Sequence, residues 1–228
     1  MSDVSTQSES VALTSDKVSS VDVAYDEILQ RIVSGEIREG EPIRGSALAK
    51  KLGLSRTPVI QAINRLSSTG LLKQELNHRA TVASGAERWF ISLHEVRILL
   101  EPHAAGVAAH NLSPEALSQL RSLANEFERQ DQVTEQREAA FRFDHALHTT
   151  IAEASGNLMI QTIVHQCMSF KRFAYRIPND PPERLLRSHG EHLEILRALQ
   201  EKDSDTASAA MLFHLRSTFR GLSEPKVV

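Results

Sequence analysis

"LAKKLGLSRTPVIQAINRLSSTGLL", residues 48–72 of this 228-residue chain, contains the pattern that decides the fold of the N-terminal part. Its first helix has Ser46 as a candidate N-cap and ends at Gly53, a residue type that often terminates helices. A second helix follows, with Pro58 in its first turn, where a missing N–H does little harm, and with Gly70 at its end. The apolar face of that helix consists of Val59, Ala62, Ile63 and Leu66. Two helices joined by a tight turn that contains glycine predict a helix-turn-helix.

The segments on either side of this stretch extend the prediction to a winged helix. Upstream, apolar residues recur at helical spacing before a candidate stop at Gly35; they are Tyr25, Ile28, Leu29 and Ile32. Downstream, "LLKQELNHRATVA", residues 71–83, has two apolar runs on either side of a polar tip at residues 77–79. Such a pattern is typical of a β-hairpin. A three-helix domain with a hairpin is therefore predicted for residues 21–84.

Basic side chains are concentrated in the same part of the chain. Residues 44–79 carry seven basic side chains and one acidic one, a net charge of +6, whereas the whole chain has a formal net charge of −3. The preceding residues 1–43 carry three basic and nine acidic side chains, a net charge of −6. One positive block between more acidic segments predicts an anionic partner for that block.

The second helix of this block has the properties of a DNA recognition helix. Such a helix fits the major groove of double-stranded DNA, and its N-terminal residues reach the base edges. Arginine suits guanine, glutamine and asparagine suit adenine, an apolar side chain can touch a thymine methyl group, and other basic side chains neutralise phosphates. The predicted contacts with operator DNA are Arg44, Lys50, Arg56, Thr57, Ile60, Gln61, Asn64, Arg65, His78 and Arg79. The alternative is a helical packing module whose charge is incidental.

The rest of the chain predicts helices only. From Ala86 onward the apolar spacing is helical, and residues 86–222 predict an all-α bundle. The expected helices are residues 86–110, 113–131, 134–155, 158–177, 183–201 and 204–221. The fold class is therefore mainly α, with a winged helix-turn-helix in front of a helical bundle. Residues 1–20 are rich in Ser, Thr and Asp and predict a disordered leader.

Composition limits the class of protein further. No run of about 18 apolar residues is present, so the sequence predicts no membrane span. The first 20 residues lack the basic start and the apolar stretch of a signal peptide. Cys167 is the single cysteine, which excludes an intrachain disulfide and is compatible with a reducing compartment. A cytoplasmic protein is expected.

Four side chains in the helical part are spaced like metal ligands. Asp144 and His148 lie four residues apart, about 40° around a helix axis, so both can approach one ion. His192 lies 11 residues before Asp203, and His214 lies 11 residues after it. If the chain turns at Asp203, both histidines stand at the same level on adjacent antiparallel helices. One carboxylate and three imidazoles suit a divalent metal ion, with zinc first and nickel, manganese or iron as alternatives.

The other histidines leave a second interpretation open. His189 lies one turn before His192 on the same predicted helix and is an alternative ligand. A chain with ten histidines also shows some helical coincidences without any metal. Isolated histidines are expected at the surface, in the core or at helix caps; they are His78, His94, His103, His110 and His165.

Two sets of motifs resemble one known family. "LGLSRTPV", residues 52–59, with the hairpin that follows the second helix, is similar to the winged helix-turn-helix of the GntR family of bacterial transcription regulators. "EVRILLEPHAAGVAA", residues 95–109, "DHALHTTIAEASGN", residues 144–157, and "EHLEIL", residues 191–196, resemble the FCD effector domain of the FadR-type subfamily. The resemblance covers nearly everything from residue 22 to residue 222.

This resemblance implies roles for individual residues. Metal-containing members of the subfamily use an Asp, a His four residues on and two later His, which match the four candidate ligands. Arg97 matches an arginine that lies near the cavity of relatives and can pair with the carboxylate of an effector. Asn157 is predicted to contact the effector as well. An ion pair between Arg97 and Glu101 is an equal alternative for the arginine.

Three positions depart from the family pattern. Ile60 stands where the family often has Arg, Ala80 stands where the wing often has Gly, and Glu39–Gly40–Glu41 replaces a "PGE" motif. The fold prediction survives these changes. The operator sequence of relatives cannot be carried over, because an arginine that typically touches DNA is absent.

These features together predict a ligand-responsive bacterial transcription regulator. Since most members of the family repress, it is expected to be a repressor that binds operator DNA as a homodimer and senses a small organic acid at the metal site. It is not expected to be an enzyme, because no motif such as H-E-x-x-H supplies a general base beside the metal. Two alternatives are a metal-dependent enzyme on a helical bundle and a DNA-binding protein whose metal is purely structural.

Overall fold

A computed structural model of the chain describes residues 19–74, 79–174 and 182–223. The elements in these ranges are α1 (Ser20–Val33), α2 (Gly45–Leu52), α3 (Arg56–Ser68), β1 (Leu72–Gln74), β2 (Ala80–Val82), α4 (Ala86–Asn111), α5 (Pro114–Glu128), α6 (Val133–Ala154), α7 (Leu158–Ala174), α8 (Pro182–Gln200) and α9 (Ser204–Ser223). The predicted mainly α fold, with a winged helix-turn-helix before a helical bundle, is confirmed. The predicted leader lies outside the described residues apart from its last two positions, and the tip of the hairpin lies outside them apart from Arg79.

The N-terminal domain, α1 to β2, has the predicted helix-turn-helix at its centre. Gly53 adopts φ 64°, a left-handed conformation that lets the chain leave α2 and enter α3 within three residues. The prediction of Ser46 as N-cap is wrong, because α2 begins at Gly45 with Arg44 in the cap position. Ile43 donates its backbone N–H to the carbonyl of Ala80 at 2.8 Å, and this bond fixes the point at which the chain leaves the sheet.

The two predicted strands pair as a hairpin, and the hairpin has one additional partner. β1 and β2 are antiparallel, with Leu72 opposite Val82, and both of these side chains are buried in the domain core. Pro42 forms an isolated bridge with Thr81, so the loop before α2 lies along the outer side of β2. This loop therefore holds the wing against the helix-turn-helix.

The helical domain, α4 to α9, is organised by a close contact between its first and last helices. A Cβ atom on Gly106 of α4 would lie 3.1 Å from Ser204 Oγ, and that hydroxyl donates to the carbonyl of Gly106 at 2.8 Å. At the other end of the contact, His94 Nε2 lies 2.7 Å from the carbonyl oxygen of Leu215. The two helices are thus antiparallel, and α9 is held at a fixed height beside the other helices of the bundle.

Two hydrophobic cores meet at α7. One core is formed by residues 24–86 together with Phe170, and the other is formed by residues 104–215. The ring of Phe170 lies 4.4 Å from that of Trp89 and 5.9 Å from that of Tyr25, measured between centroids. Helix α7 therefore contributes to both cores. Among the helices in the described ranges, none has the length and apolar character needed to cross a membrane.

Candidate metal centre and DNA-binding surface

Four buried side chains from three helices meet inside the helical domain: Asp144 and His148 of α6, His192 of α8 and His214 of α9 (the four-ligand cluster). One ligand atom from each lies within 4.8 Å of every other. The turn between α8 and α9 brings His192 and His214 to the same level, with their Nε2 atoms 3.1 Å apart. The structure thus brings together the four residues whose spacing indicated a metal site.

The distances between the ligand atoms fit a transition-metal ion. Asp144 Oδ1 lies 3.2 Å from His192 Nε2 and 3.6 Å from His148 Nε2. Two ligands that each lie about 2.1 Å from one ion are about 3.0 Å apart when their bonds meet at a right angle, and about 3.4 Å apart at the tetrahedral angle. Three of the separations in the cluster, 3.1 to 3.6 Å, are close to those that a shared ion imposes, and the other pairs of ligand atoms lie within 4.8 Å.

Two of the imidazoles are oriented by carboxylates on their other nitrogen. His214 Nδ1 donates to Glu191 Oε2 at 2.9 Å, and His148 Nδ1 donates to Glu101 Oε2. A neutral imidazole that donates from Nδ1 presents a lone pair at Nε2. His148 Nε2 is buried and makes no hydrogen bond within the described residues, so its lone pair is available to an ion. Carboxylate–histidine pairs of this kind orient the ligands of many metal sites.

Burial and the neighbouring charges fix the protonation states of Glu101 and His148 at neutral pH. Burial opposes ionisation of Glu101, but the charges and hydrogen bonds of Arg97 and His148 together outweigh it and lower the pKa of Glu101 to about 2. Burial lowers the pKa of His148 to about 4. At pH 7 the carboxylate is therefore ionised and the imidazole neutral, which is the form that binds a metal ion.

Arg97 borders the four-ligand cluster and has an internal partner. Its guanidinium forms an ion pair with Glu101, one turn along α4, and both side chains are buried. Its Nη2 atom lies 3.3 Å from His148 Nδ1. Of the two alternatives for this arginine, the ion pair with Glu101 is present. A contact between Arg97 and an effector carboxylate stays a prediction.

His189 does not join the converging ligand atoms. Its ring stacks on that of Phe127, with centroids 4.0 Å apart, and neither of its nitrogens has a hydrogen-bond partner among the residues that the structure describes. His192 is the histidine of α8 that reaches Asp144. The assignment of His189 as an alternative ligand therefore has no support from the cluster geometry.

Asn157 lies away from the cluster, at the start of α7. Its side chain is exposed, and its Oδ1 accepts the backbone N–H groups of Met159 at 3.0 Å and Ile160 at 3.2 Å. Asn157 thus caps α7. Its predicted contact with an effector stays a prediction.

Helix α3 exposes the face that the sequence predicted for DNA reading. Its apolar residues Val59, Ala62, Ile63 and Leu66 are buried in the N-terminal domain. The predicted base-reading side chains are all exposed; they are Arg56, Thr57, Ile60, Gln61 and Asn64. Three predicted phosphate contacts outside α3 are exposed as well: Arg44, Lys50 and Arg79. These eight predicted DNA contacts are therefore all accessible in the described part of the chain.

The remaining two predicted DNA contacts, Arg65 and His78, differ from these eight: Arg65 has partners within the protein, and His78 is not among the described residues. Arg65 Nη1 lies 2.9 Å from Asp22 Oδ1, and its guanidinium carbon lies 4.3 Å from the centroid of the Tyr25 ring. Arg65 is therefore directed toward α1, and its contact with phosphate stays a prediction. His78 lies outside the described residues.

Comparison with known proteins agrees with this architecture. Residues 21–82 match the gntR family of bacterial regulatory proteins, and residues 92–217 match the FCD domain. A transcriptional regulator of the Nta operon from Aminobacter aminovorans is 28% identical over 192 residues, 84% of this chain and 89% of its own. The HTH-type transcriptional repressor RspR of Escherichia coli is 29% identical over 200 residues, 83% of each chain. The solved structure of E. coli McbR/YncC has the same fold, with a TM-score of 0.67 at 22% identity over 90% of this chain and 97% of its own.

An exposed recognition helix joined to a helical effector domain defines a class of protein: transcription regulators that bind DNA and a small molecule. The chain belongs to the gntR family of bacterial regulatory proteins and carries an FCD domain after its winged helix-turn-helix. Its relatives are transcription regulators rather than enzymes, so the interpretation as a metal-dependent enzyme is set aside.

One functional residue was missed by the reading of the sequence. Glu191 of α8 accepts a hydrogen bond from Nδ1 of His214 on α9, and the equal spacing about Asp203 that paired His192 with His214 did not single out the residue beside His192. A signal was nevertheless present. Glu191 directly precedes His192, and a step of about 100° around α8 turns it toward the neighbouring helix when His192 faces the cluster.

Proposed function

We propose that this protein is a repressor that binds operator DNA as a homodimer and senses a small carboxylate through a divalent metal ion held by the four-ligand cluster. The observation that carries the proposal is the convergence of four ligand atoms at separations that suit one ion. Zinc is the first choice, and nickel, manganese and iron accept the same ligands. Membership of a family of bacterial transcription regulators supports a cytoplasmic location for this protein, because the operator DNA lies in the cytoplasm.

The metal supplies the positive charge that attracts the acid. Arg97 is neutralised by its ion pair with Glu101, so an additional cation beside the cluster is needed to bind an anion inside the protein. An octahedral ion with four protein ligands keeps two open positions, which the oxygens of a carboxylate can fill. The role of this chain is to hold the ligands, exclude water and keep His148 neutral.

DNA recognition by two N-terminal domains follows from the exposed face of α3. Arg56, Gln61 and Asn64 offer the groups that read base edges, and Ile60, whose residue is 52% exposed, offers an apolar contact for a thymine methyl group. A symmetric dimer places two such helices on two half-sites, so the operator is a near-palindrome.

Helix α7 connects the metal centre to the reading surface. Val164 and Met168 lie in the core of the helical domain, and Phe170 lies in the core of the N-terminal domain. A ligand that favours one position of α7 therefore favours one placement of the recognition helices. Operator affinity then changes by the difference in the ligand's affinity for the two placements.

A purely structural metal is a second candidate, favoured by a different observation. Asp144, His148 and His214 are each 0% exposed, and closed sites of this kind contribute to folding without binding a further ligand. In that case metal removal lowers the melting temperature, and no acid changes the affinity for the operator.

The deciding experiment measures metal content and operator affinity on the same preparations. Wild type, His214→Ala and the matched control His110→Ala, an exposed histidine of α4, are titrated onto promoter DNA with and without a panel of carboxylates. We expect one class of acid to change operator affinity in wild type and His110→Ala but not in His214→Ala. A metal-loaded wild type that responds to no acid supports the structural metal. Absence of bound metal removes the cluster assignment and leaves DNA binding intact.

A further inference from the structure

His189 of α8 is a buried polar side chain that the proposed function does not use. It is 6% exposed, and both of its ring nitrogens lack a hydrogen-bond partner within the described ranges. Its ring lies face to face with Phe127, at an interplanar angle of 22°, and edge-on to Phe143, with centroids 5.7 Å apart. An imidazole therefore occupies a position between aromatic walls that a purely apolar side chain could fill.

The other buried histidines of the described chain all have polar partners. His94 contacts the carbonyl oxygen of Leu215, His148 and His214 each donate to a carboxylate, and His192 lies 3.1 Å from His214. Burial of a polar group without a hydrogen bond is unfavourable, and proteins rarely retain such a group without a use for it. His189 differs from these four because the described part of the protein does not satisfy its hydrogen-bonding groups.

The two ring nitrogens of His189 lie close to the four-ligand cluster. His189 lies one turn before His192, and side chains three residues apart on a helix have Cβ atoms about 5–6 Å apart. The ring of Phe143 lies 5.7 Å from His189 and 5.8 Å from His192, so the two imidazoles share one wall. A small acid bound at the cluster needs a backbone of only about three or four carbon atoms to span this distance.

We propose that His189 determines the specificity of the effector site, and that its imidazole hydrogen-bonds an uncharged hydroxyl or keto oxygen of a monocarboxylic acid bound at the four-ligand cluster. This inference rests on the proposed function. The apolar walls formed by Phe127 and Phe143 disfavour a second carboxylate, which would be buried there without a counter-charge. Burial lowers the pKa of His189 to about 4, so at pH 7 the ring is neutral and offers one donor and one acceptor.

The test compares two acids that differ by one hydroxyl group. Butyrate and 3-hydroxybutyrate are titrated calorimetrically onto the zinc-loaded full chain. We expect wild type to bind 3-hydroxybutyrate roughly five- to tenfold more tightly, the ratio that one hydrogen bond supplies. His189→Phe keeps the ring stacked on Phe127 and removes both nitrogens, so its ratio falls to about one with its affinity for butyrate retained. His189→Gln restores a donor and an acceptor, so we expect it to recover part of the preference for 3-hydroxybutyrate over butyrate. His165→Phe changes an exposed residue of α7 and should keep the full preference.

Two further measurements, zinc content and melting temperature, distinguish contact between His189 and the ligand from a structural role of His189. Zinc content stays the same in His189→Phe, and its metal-free form melts at the same temperature as wild type or higher, because an unpaired polar group has been removed. Loss of zinc would overturn the inference, since His189 would then be a metal ligand. Equal binding of both acids by wild type, or a preference that survives in His189→Phe, overturns it and leaves the proposed function standing. If zinc-loaded wild type binds neither acid, this inference is wrong and the proposed sensing of carboxylates loses its support as well.

Discussion

Phe170 of α7 and Trp89 of α4 meet edge to face, with ring centroids 4.4 Å apart, inside the hydrophobic core of the N-terminal domain. Trp89 Nε1 in turn donates to the backbone oxygen of Thr69 at 2.9 Å, directly after the recognition helix. Two helices of the effector domain are thus joined to the end of α3 by an aromatic contact and a hydrogen bond. We expect a change in the relative position of α4 and α7 to reach the end of the recognition helix through these residues.

Replacing Phe170 by Leu tests this connection. The substitution keeps an apolar side chain and removes the ring contact with Trp89, so we expect the free energy of unfolding to fall by about 1–1.5 kcal/mol. The change in operator affinity on adding an effector acid should shrink as well, because the contact that transmits it is weakened. Both quantities can be measured by denaturant titration and by fluorescence anisotropy on labelled operator DNA.

Phe213→Leu is the matched control for Phe170→Leu. Phe213 of α9 is 65% exposed, so the free energy of unfolding should stay within about 0.5 kcal/mol of wild type. A Phe170→Leu protein that responds to the acid as fully as wild type would show that the two domains communicate by another route.

Glu191→Gln should weaken metal binding without removing a ligand. Glu191 accepts the Nδ1 proton of His214, and a neutral amide neither holds that proton as strongly nor raises the basicity of Nε2 as a carboxylate does. We expect zinc affinity to fall roughly 10- to 100-fold, measured by competition with a zinc-binding dye. Glu194→Gln changes an exposed carboxylate on the same helix and should leave zinc affinity unchanged. Equal affinities in all three proteins would argue against the role of Glu191.

The candidate ligands could be predicted from the sequence because regular helices fix the positions of their residues. The spacing of Asp144 and His148 places both on one face of α6, whatever packs against it. His192 and His214 lie equally far from the turn between two antiparallel helices, so their common level depends only on where that turn lies. Asp203 marks it, since its Oδ1 accepts the backbone N–H of Thr206 at 3.0 Å and caps α9.

Contacts between elements far apart in the chain could not be predicted in this way. The apolar side chains of α7 predicted a buried helix, but their spacing does not say that Phe170 packs in a different core from Met168. The pairing of Pro42 with Thr81 likewise depends on tertiary structure, and it lies just before α2, which starts at Gly45 rather than at the position that Ser46 suggested. Local periodicity determines which face of an element is buried, whereas the partner of that face is set by the packing of the whole chain.

The thiol of Cys167 should be unreactive in the folded protein. Cys167 is 3% exposed, and burial raises the pKa of its thiol to about 12, so the nucleophilic thiolate is scarce at pH 8. We expect no reaction with Ellman's reagent over minutes in native buffer and one thiol per chain in guanidinium chloride. Rapid reaction of the native protein would mean that the core around α7 opens readily.

Two substitutions in the N-terminal domain should separate base reading from phosphate binding. Arg56→Ala removes an exposed side chain from the start of the recognition helix, where a bidentate contact with guanine is worth about 1–3 kcal/mol. We expect operator affinity to fall by this amount and affinity for random duplex to change much less. Lys50→Ala removes an exposed charge of α2 and should weaken binding to both duplexes similarly, lowering the slope of log affinity against log salt by about one.

Lys51→Ala is the control for Lys50→Ala, because it also removes one lysine charge from α2. Lys51 Nζ lies 3.1 Å from Glu27 Oε1, so its charge is already partly balanced inside the protein, and its removal should change the salt slope less than Lys50→Ala does. Anisotropy titrations of each protein at several salt concentrations, on operator and random duplex, measure all of these quantities. If Arg56→Ala weakened both duplexes equally, base recognition would not depend on the N-terminal end of α3. The reading surface would then have to be sought further along that helix, around Ile60 and Asn64.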